Sequence, residues 1–267
     1  MYLLLSFIVF VFGLMVGSFL NCLIYRLEKE ESFLKGRSYC PNCKHVLSWQ
    51  DLIPALSFFA LKRKCRYCQK PISWQYPLVE ILTGSIFLLI FNQFSTFSFL
   101  TIVYYLLISS FLIVIFVYDF KHSLIPDAII YPAIVTAFLY RFLEIRKFSH
   151  WPLIAYNFKT LLPIVFSAFG AAAFFLLIVL ASKGKWMGTG DIWLAFLMGL
   201  ILGWPNILVA LMLAFLIGAI IGLVLIILGR KSLKSEIPFG PFLVLATFLV
   251  LFLGEKIINW YLNFYLI

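Results

Sequence analysis

Long stretches without a single charged side chain constrain this chain more than any other feature. Residues 1–25 carry no charge before Arg26, and 81–118, 160–182, 192–229 and 237–254 are likewise uncharged. A helix needs roughly 20 apolar residues to cross a bilayer. The run 81–118 breaks at Asn92-Gln93-Phe94-Ser95-Thr96, and the run 192–229 breaks at Gly203-Trp204-Pro205-Asn206, so each reads as two spans. With a shorter run from Asp127 to Tyr140 the total is eight, the short sixth span before Gly203 being the weakest of them. Lipid offers no partner to backbone N–H and C=O groups, so the spans must be helical. The expected fold is an all-α polytopic membrane protein of about eight transmembrane helices. The composition agrees: 64% of residues are hydrophobic and 12% charged, where a soluble domain carries about 25% charged residues. The first segment lacks a basic n-region and is too long for a typical h-region, so it reads as a retained span.

Basic residues set the orientation. The loop from Arg26 to Tyr76 holds ten of the 21 Lys and Arg residues, and basic loops stay in the cytoplasm. Eight spans then place Asp119–Asp127, Lys183–Asp191 and Arg230–Glu236 on that same side. These stretches together hold 16 of the 21 basic residues. The net charge of +10 is mostly a topology signal, and nucleic acid is a poor candidate partner.

Three blocks follow: residues 1–25 as the first span, 26–76 as a soluble insert, and 77–267 as a membrane core. The insert contains Cys40-Pro41-Asn42-Cys43 and Cys65-Arg66-Tyr67-Cys68, two C-x-x-C pairs separated by 21 residues. The pattern resembles a zinc ribbon, with Cys40, Cys43, Cys65 and Cys68 as the candidate ligands. Reduced cytoplasmic thiols argue against disulfides, and Lys44, Lys64 and Arg66 favour thiolates. Redox-active or simply unpaired thiols are the alternative. Cys22, in the first span, reads as a packing residue. His45 adjoins the first pair, His122 lies near the acids described next, and His150 falls on the opposite face; none is assigned a catalytic role. No internal repeat is evident. Residues 255–267, with Trp260, Tyr261 and Tyr265, read as an interfacial tail.

Two acidic constellations stand at span ends. Asp119 closes the third span in Tyr118-Asp119-Phe120-Lys121, where the helix dipole disfavours a negative charge, while Asp127 opens the fourth and suits a helix start. Asp191 follows Gly188-Thr189-Gly190, a turn flexible enough to bring its backbone close to another segment. The topology puts Asp119 and Asp191 on one side at similar depth. Two carboxylates in contact share a proton, so that one activates water while the other polarises a carbonyl. A proton-coupled transporter also uses boundary acids, and a membrane scaffold would need neither acid.

The ordered motifs resemble the prepilin peptidases, also called type IV leader peptidases. They are Gly17-Ser18-Phe19-Leu20-Asn21 with Tyr25-Arg26, the two cysteine pairs with Trp49 and Ile53-Pro54, Tyr76-Pro77-Leu78-Val79-Glu80, Asp119 with Ile125-Pro126-Asp127, Gly188-Thr189-Gly190-Asp191, and Ile237-Pro238-Phe239-Gly240-Pro241. The resemblance implies a bifunctional enzyme of the bacterial inner membrane. Such an enzyme cleaves the basic leader of type IV pilins or pseudopilins after a glycine at the cytoplasmic face. It then N-methylates the new terminus with S-adenosylmethionine. The resemblance maps the catalytic acids to Asp119 and Asp191, ranks Asp127 third, and ties the four cysteines to methylation. Trp193 departs from the pattern, since the family often carries Lys there. No glycine-rich nucleotide motif marks a methyl-donor site.

Overall fold

The computed structural model describes residues 2–32, 36–94, 96–147, 154–230 and 237–265. Its α-helices are α1 (Tyr2–Glu28), α2 (Leu56–Ala60), α3 (Gln75–Phe94), α4 (Phe99–His122), α5 (Asp127–Lys147), α6 (Ile154–Ser182), α7 (Thr189–Leu202), α8 (Asn206–Ile227) and α9 (Gly240–Tyr265). Apart from the short α2, there is one long helix for each expected span. Among the described residues six are long and apolar enough to cross a membrane: α1, α3, α4, α8, and the parts Leu162–Ser182 of α6 and Gly240–Asn263 of α9. The all-helical class holds, with the only β-pairing among the described residues being the isolated bridges Tyr39–Val46 and Lys64–Pro71.

Two elements fall short of a full span. Helix α5 carries Arg141 and Glu144 within its length. Helix α7 has 14 residues and so extends about 21 Å, against roughly 30 Å of hydrocarbon. Helix α9 continues through Glu255 to Tyr265 as one element, because Gly254 is a packing site and not a hinge. A Cβ there would stand 2.8 Å from Oδ1 of Asn206, which opens α8.

The chain divides into two compact units, Met1–Val114 and Ile115–Ile267, with the division falling inside α4. In the first unit α1 and α3 pack backbone against backbone. A Cβ on Gly13 would come 2.7 Å from the Cα of Gly84, and one on Gly17 would come 2.7 Å from the Cα of Glu80. Small residues at such crossings are what lets helices associate in lipid, where hydrophobicity gives no drive. Polar pairs fasten the same contact near its insert end. The Asn21 side-chain amide donates to the Tyr76 carbonyl at 3.0 Å and its oxygen accepts from Gln75 at 3.3 Å. Buried Arg26, in the last turn of α1, donates to the carbonyls of Ser32, Gly36 and Arg37 and so ties the start of the insert to the helix end.

In the second unit α7 is the innermost helix. Leu194, Ala195 and every residue from Leu197 to Leu202 are buried. Gly199 lies so close to Ala168 of α6 that no side chain fits between them. The last carbonyls of α7 take their donors from α5. Arg141 gives its Nε–H to Leu200 at 2.9 Å and an Nη–H to Ile201 at 2.7 Å, while Glu144 pairs with its other Nη at 2.8 Å. Gly203, with φ of 65°, then turns the chain out of the helix.

Candidate active site

Asp119 stands in the last turn of α4, three residues before its end, and is 4% exposed. The turn after it is stopped by Ser123, whose φ of 54° leaves the helical region and whose N–H donates to the Asp119 carbonyl at 2.8 Å. Asp191 lies in the first turn of α7 and is 8% exposed. Its carboxylate reaches back to accept the N–H of Gly188 at 3.3 Å, which is one half of a capping box. Glycine has no side chain with which to supply the other half.

The two acids are within electrostatic reach of each other. Gly240, the first residue of α9, lies with its backbone directly against the Asp119 carboxylate. The ends of three helices therefore meet around one carboxylate pair. Ile125, from the α4–α5 connection, wedges the arrangement. Its side chain would be 3.0 Å from a Cβ on Gly190 and 3.5 Å from one on Gly240. A Cβ on Gly240 would collide with Asp119 Oδ2 itself and stand 3.1 Å from its Cγ. Gly240 is thus needed because its backbone lies against Asp119, and Gly190 because its backbone lies against Ile125, whereas a Cβ on Gly188 would meet only ordinary contacts at 3.9 Å and 4.0 Å.

The remaining sequence candidates separate cleanly. Asp127 is exposed in the first turn of α5, where a negative charge suits the helix dipole. His122 is exposed at the end of α4 with its ring 4.7 Å from Tyr118. Trp193 packs edge-on to Tyr131 of α5, centroids 5.7 Å apart. An aromatic there fills the α5–α7 contact. His150 lies outside the described residues. Gly240 and Ile125 belong to motifs visible in the sequence, yet nothing in the sequence shows that they touch the acids.

The four candidate metal ligands do come together. The Sγ atoms of Cys40, Cys43, Cys65 and Cys68 all lie within 4.8 Å of one another, and Cys40 and Cys68 are 3.9 Å apart. Tetrahedral zinc with Zn–S bonds of about 2.3 Å requires sulfurs about 3.8 Å apart, so the donor set fits the ion. The two turns are copies of each other. Cys40 N–H donates to His45 O and Lys44 N–H to Cys40 O; Cys65 N–H donates to Lys70 O and Gln69 N–H to Cys65 O, each at 2.9 Å. Lys44 and Gln69 occupy matching positive φ values of 59° and 58°. Burial opposes ionisation of Cys40, but the backbone N–H groups of Cys43 and Asn42 and the adjoining thiols bring its pKa down to about 7. His45 stacks on Tyr67 at 3.7 Å and is not part of the thiol cluster.

A network around Asp51 joins the second turn to the segment between the pairs. Asp51, its side chain 4% exposed, accepts from Arg66 Nε at 2.7 Å, from the Tyr67 hydroxyl at 3.2 Å, and from the Ser48 N–H and hydroxyl at 3.1 Å and 2.8 Å. Asp51 thereby holds a 3-10 turn, Trp49–Leu52, against the cysteine centre. Three residues on, the N–H of Ala55 donates to the buried carboxylate of Glu80 in α3 at 2.7 Å.

Comparison with known proteins follows the same two parts. The family described as Bacterial Peptidase A24 N-terminal domain matches residues 11–94, and the Type IV leader peptidase family matches residues 106–223. A prepilin leader peptidase/N-methyltransferase of Aeromonas hydrophila is 31% identical over 294 residues, covering 97% of this chain and 94% of the relative. A protein of the same name from Bacillus subtilis is 32% identical over 260 residues, covering 96% and 97%. Another from Myxococcus xanthus is 35% identical over 236 residues, covering 85% and 65%. No solved structure matches the chain.

Proposed function

The chain belongs to the type IV leader peptidase family, and from that membership we propose that Asp119 and Asp191 form the catalytic dyad of an aspartic endopeptidase in the bacterial cytoplasmic membrane. Its substrate is a prepilin or pseudopilin, whose basic leader is removed after a glycine at the cytoplasmic face. One observation supports the reading: two buried carboxylates from different helices stand within electrostatic reach, Asp191 accepting the Gly188 N–H and Asp119 lying against the backbone of Gly240.

Chemistry follows from that geometry. Two such carboxylates share one proton. The ionised member takes a proton from a water molecule, whose oxygen adds to the scissile carbonyl carbon. The protonated member donates to the carbonyl oxygen as charge develops there. The adduct then collapses, the C–N bond breaks, and the leaving amine takes up a proton from the dyad. Neither a metal nor a covalent enzyme intermediate is required.

Residues 26–76 serve the second reaction in this reading, methylation of the new N-terminus. Cys40, Cys43, Cys65 and Cys68 hold a structural zinc ion that fastens two turns otherwise lacking a core. S-adenosylmethionine supplies a methyl group already activated as a sulfonium. The four-cysteine cluster and the names of the similar proteins support this part.

The test is a single incubation of the purified, detergent-solubilised chain with a prepilin, with and without the methyl donor. Cleavage is expected in both, and methylated product only with the donor. Asp119→Ala and Asp191→Ala should each leave the precursor intact; normal processing by either variant sinks the dyad.

A further inference from the structure

The insert between α1 and α3 carries an apolar face of its own. Trp49, Leu52, Ile53, Leu56, Phe59 and Trp74 are all exposed, Trp49 and Leu56 being 73% and 69% so. Part of the face is braced from below. The ring of buried Phe58 lies 5.5 Å from Phe59 and 5.1 Å from Trp74, and the Phe59 and Trp74 rings stand 6.4 Å apart. Elsewhere Trp49, Leu52 and Ile53 line a groove together with Val11, Met15 and Phe19 of α1. Single exposed apolar residues need no explanation, but a contiguous patch marks contact with a partner or a membrane.

The neighbouring helices fix the depth of this face. Arg26 is the first charged residue of the chain and stands in the last turn of α1. Gly17, nine residues earlier, is about 13 Å deeper along the helix axis. A Cβ on Gly17 would come 2.7 Å from the Cα of Glu80, so Glu80 shares that level. The Glu80 carboxylate accepts the N–H of Ala55 at 2.7 Å, and a glutamate side chain is much shorter than the drop from Arg26. Ala55 makes the contact with a φ of 56°, a value that side chains rarely adopt and that persists where the surroundings hold it. The insert backbone therefore dips along the helix pair, below the level of Arg26. There it meets Met15 and Phe19, themselves exposed on α1.

Charge selects what covers the face. Between Gly36 and Tyr76 the chain has seven Lys and Arg residues and one acid, Asp51, whose carboxylate is taken up by Arg66, Tyr67 and Ser48. Lys62, Arg63 and Lys64 follow α2 directly and are exposed. The Arg63 guanidinium lies 5.9 Å from the Trp74 ring, which brings positive charge to the border of the apolar face. Aromatic rings with a basic border match a bilayer surface, where indoles sit at headgroup level and basic residues meet anionic lipid. A second copy of the chain would set the same basic border against itself. A water-borne partner would have to displace the lipid around α1.

We propose that Trp49, Leu52, Ile53, Leu56, Phe59 and Trp74 seat the insert in the headgroup layer of the bilayer, with Lys62, Arg63 and Lys64 on anionic lipid. The cysteine centre is then held at the membrane surface and not in free solution. The proposal rests on α1 and α3 crossing the bilayer, and neither on the aspartate dyad nor on methylation.

The experiment uses the full-length, zinc-loaded chain in nanodiscs, one copy per disc, of phosphatidylcholine alone or mixed with phosphatidylglycerol. Subtracting the emission of Trp49→Phe from that of the parent isolates Trp49. Lipids brominated in their acyl chains quench indoles in the bilayer, and iodide quenches indoles in water. Bromolipid is expected to remove at least half of the Trp49 signal. A smaller loss overturns the seating, and iodide then distinguishes an indole in water from one covered by protein. Amides 49–61 should exchange more slowly in the anionic discs, by about fivefold for each basic residue engaged. Lys62→Gln/Arg63→Gln/Lys64→Gln, with its zinc retained, should lose that difference. Equal exchange in both lipids, or an undiminished difference in the triple variant, overturns the role of the basic border. Prepilin cleavage by the parent in the same discs reads the dyad separately, so failure of the seating is distinct from failure of the peptidase reading.

Discussion

Glycines around the proposed dyad make a graded prediction, because the space at each differs. At Gly240 an added Cβ collides with Asp119 Oδ2 and stands 3.1 Å from Cγ. The carboxylate cannot yield freely, being 4% exposed where α4 meets the start of α9. Restoring ordinary contact would displace its oxygen by about 1 Å, and an error of that size in a catalytic group costs about 10²-fold in rate, or about 2.7 kcal/mol of barrier. At Gly190 the obstacle is the Ile125 side chain at 3.0 Å, which can give by a few tenths of an ångström, so Gly190→Ala should fall between. At Gly188 the nearest atoms are at 3.9 Å and 4.0 Å and φ is −79°, so Gly188→Ala should cleave within about twofold of the parent. The assay is the initial rate of prepilin cleavage at saturating substrate for the three variants, with melting temperature as a folding control. Full activity in Gly240→Ala, or equal losses in Gly188→Ala and Gly240→Ala, would refute the reasoning from the packing of α9 against Asp119.

Three further expectations are independent of that series. Elemental analysis should find one zinc ion per chain, and Cys40→Ser should lose it, reducing methylation more than cleavage; full methylation without metal would leave the cysteines without a role. Acid should open the insert through Asp51. Burial works against its charge, but Arg66, Ser48 and Tyr67 outweigh this and hold its carboxyl below the usual range. That stabilisation is complete above the unfolded value near pH 4 and is lost as pH falls through the depressed folded value. Exposure of the Trp49 region, followed by hydrogen exchange, should therefore rise only below about pH 4, and a transition near neutrality would contradict it. Finally, Trp193→Lys should remove an aromatic contact with Tyr131 worth about 0.5–1.5 kcal/mol, lowering the melting temperature while leaving cleavage within a few-fold.

The parts of this architecture that were legible in advance are those imposed by the solvent. A bilayer tolerates no long charged helix face, so the uncharged runs mark the spans, and the polar breaks at Asn92 and Gly203 mark where helices turn. Cysteine spacing is legible for a similar reason, since four thiolates around one ion need two tight turns. Hydropathy conveys depth but not azimuth. It put Asp119 and Asp191 at one level, yet could not show that Gly240, 121 residues beyond Asp119 in the chain, closes over the carboxylate. Nor could it show that Ile125 touches both glycines. The extent of α9 was missed because Glu255 and Lys256 read as the end of a span, whereas a helix pays no such regard to the water boundary. The equivalence of the two cysteine turns was hidden too: it resides in backbone hydrogen bonds, and the residues around the thiols differ.

Helix α7 has one more consequence. Its first turn carries Asp191, its last carbonyls hang on Arg141, and Gly199 is jammed against Ala168 between them. A rod held by both contacts over its last turn has a definite phase as well as a definite height. Each residue added between Asp191 and Gly199 would turn the acid by about 100° and shift it by about 1.5 Å along the axis. One or two insertions therefore turn the carboxylate by about 100° or 200° from its present direction, and a near-return of azimuth after four leaves it about 6 Å out of plane. The segment from Asp191 to Leu200 is thus a ruler that fixes where Asp191 stands, and the residue that sets its zero lies at the opposite end of the helix.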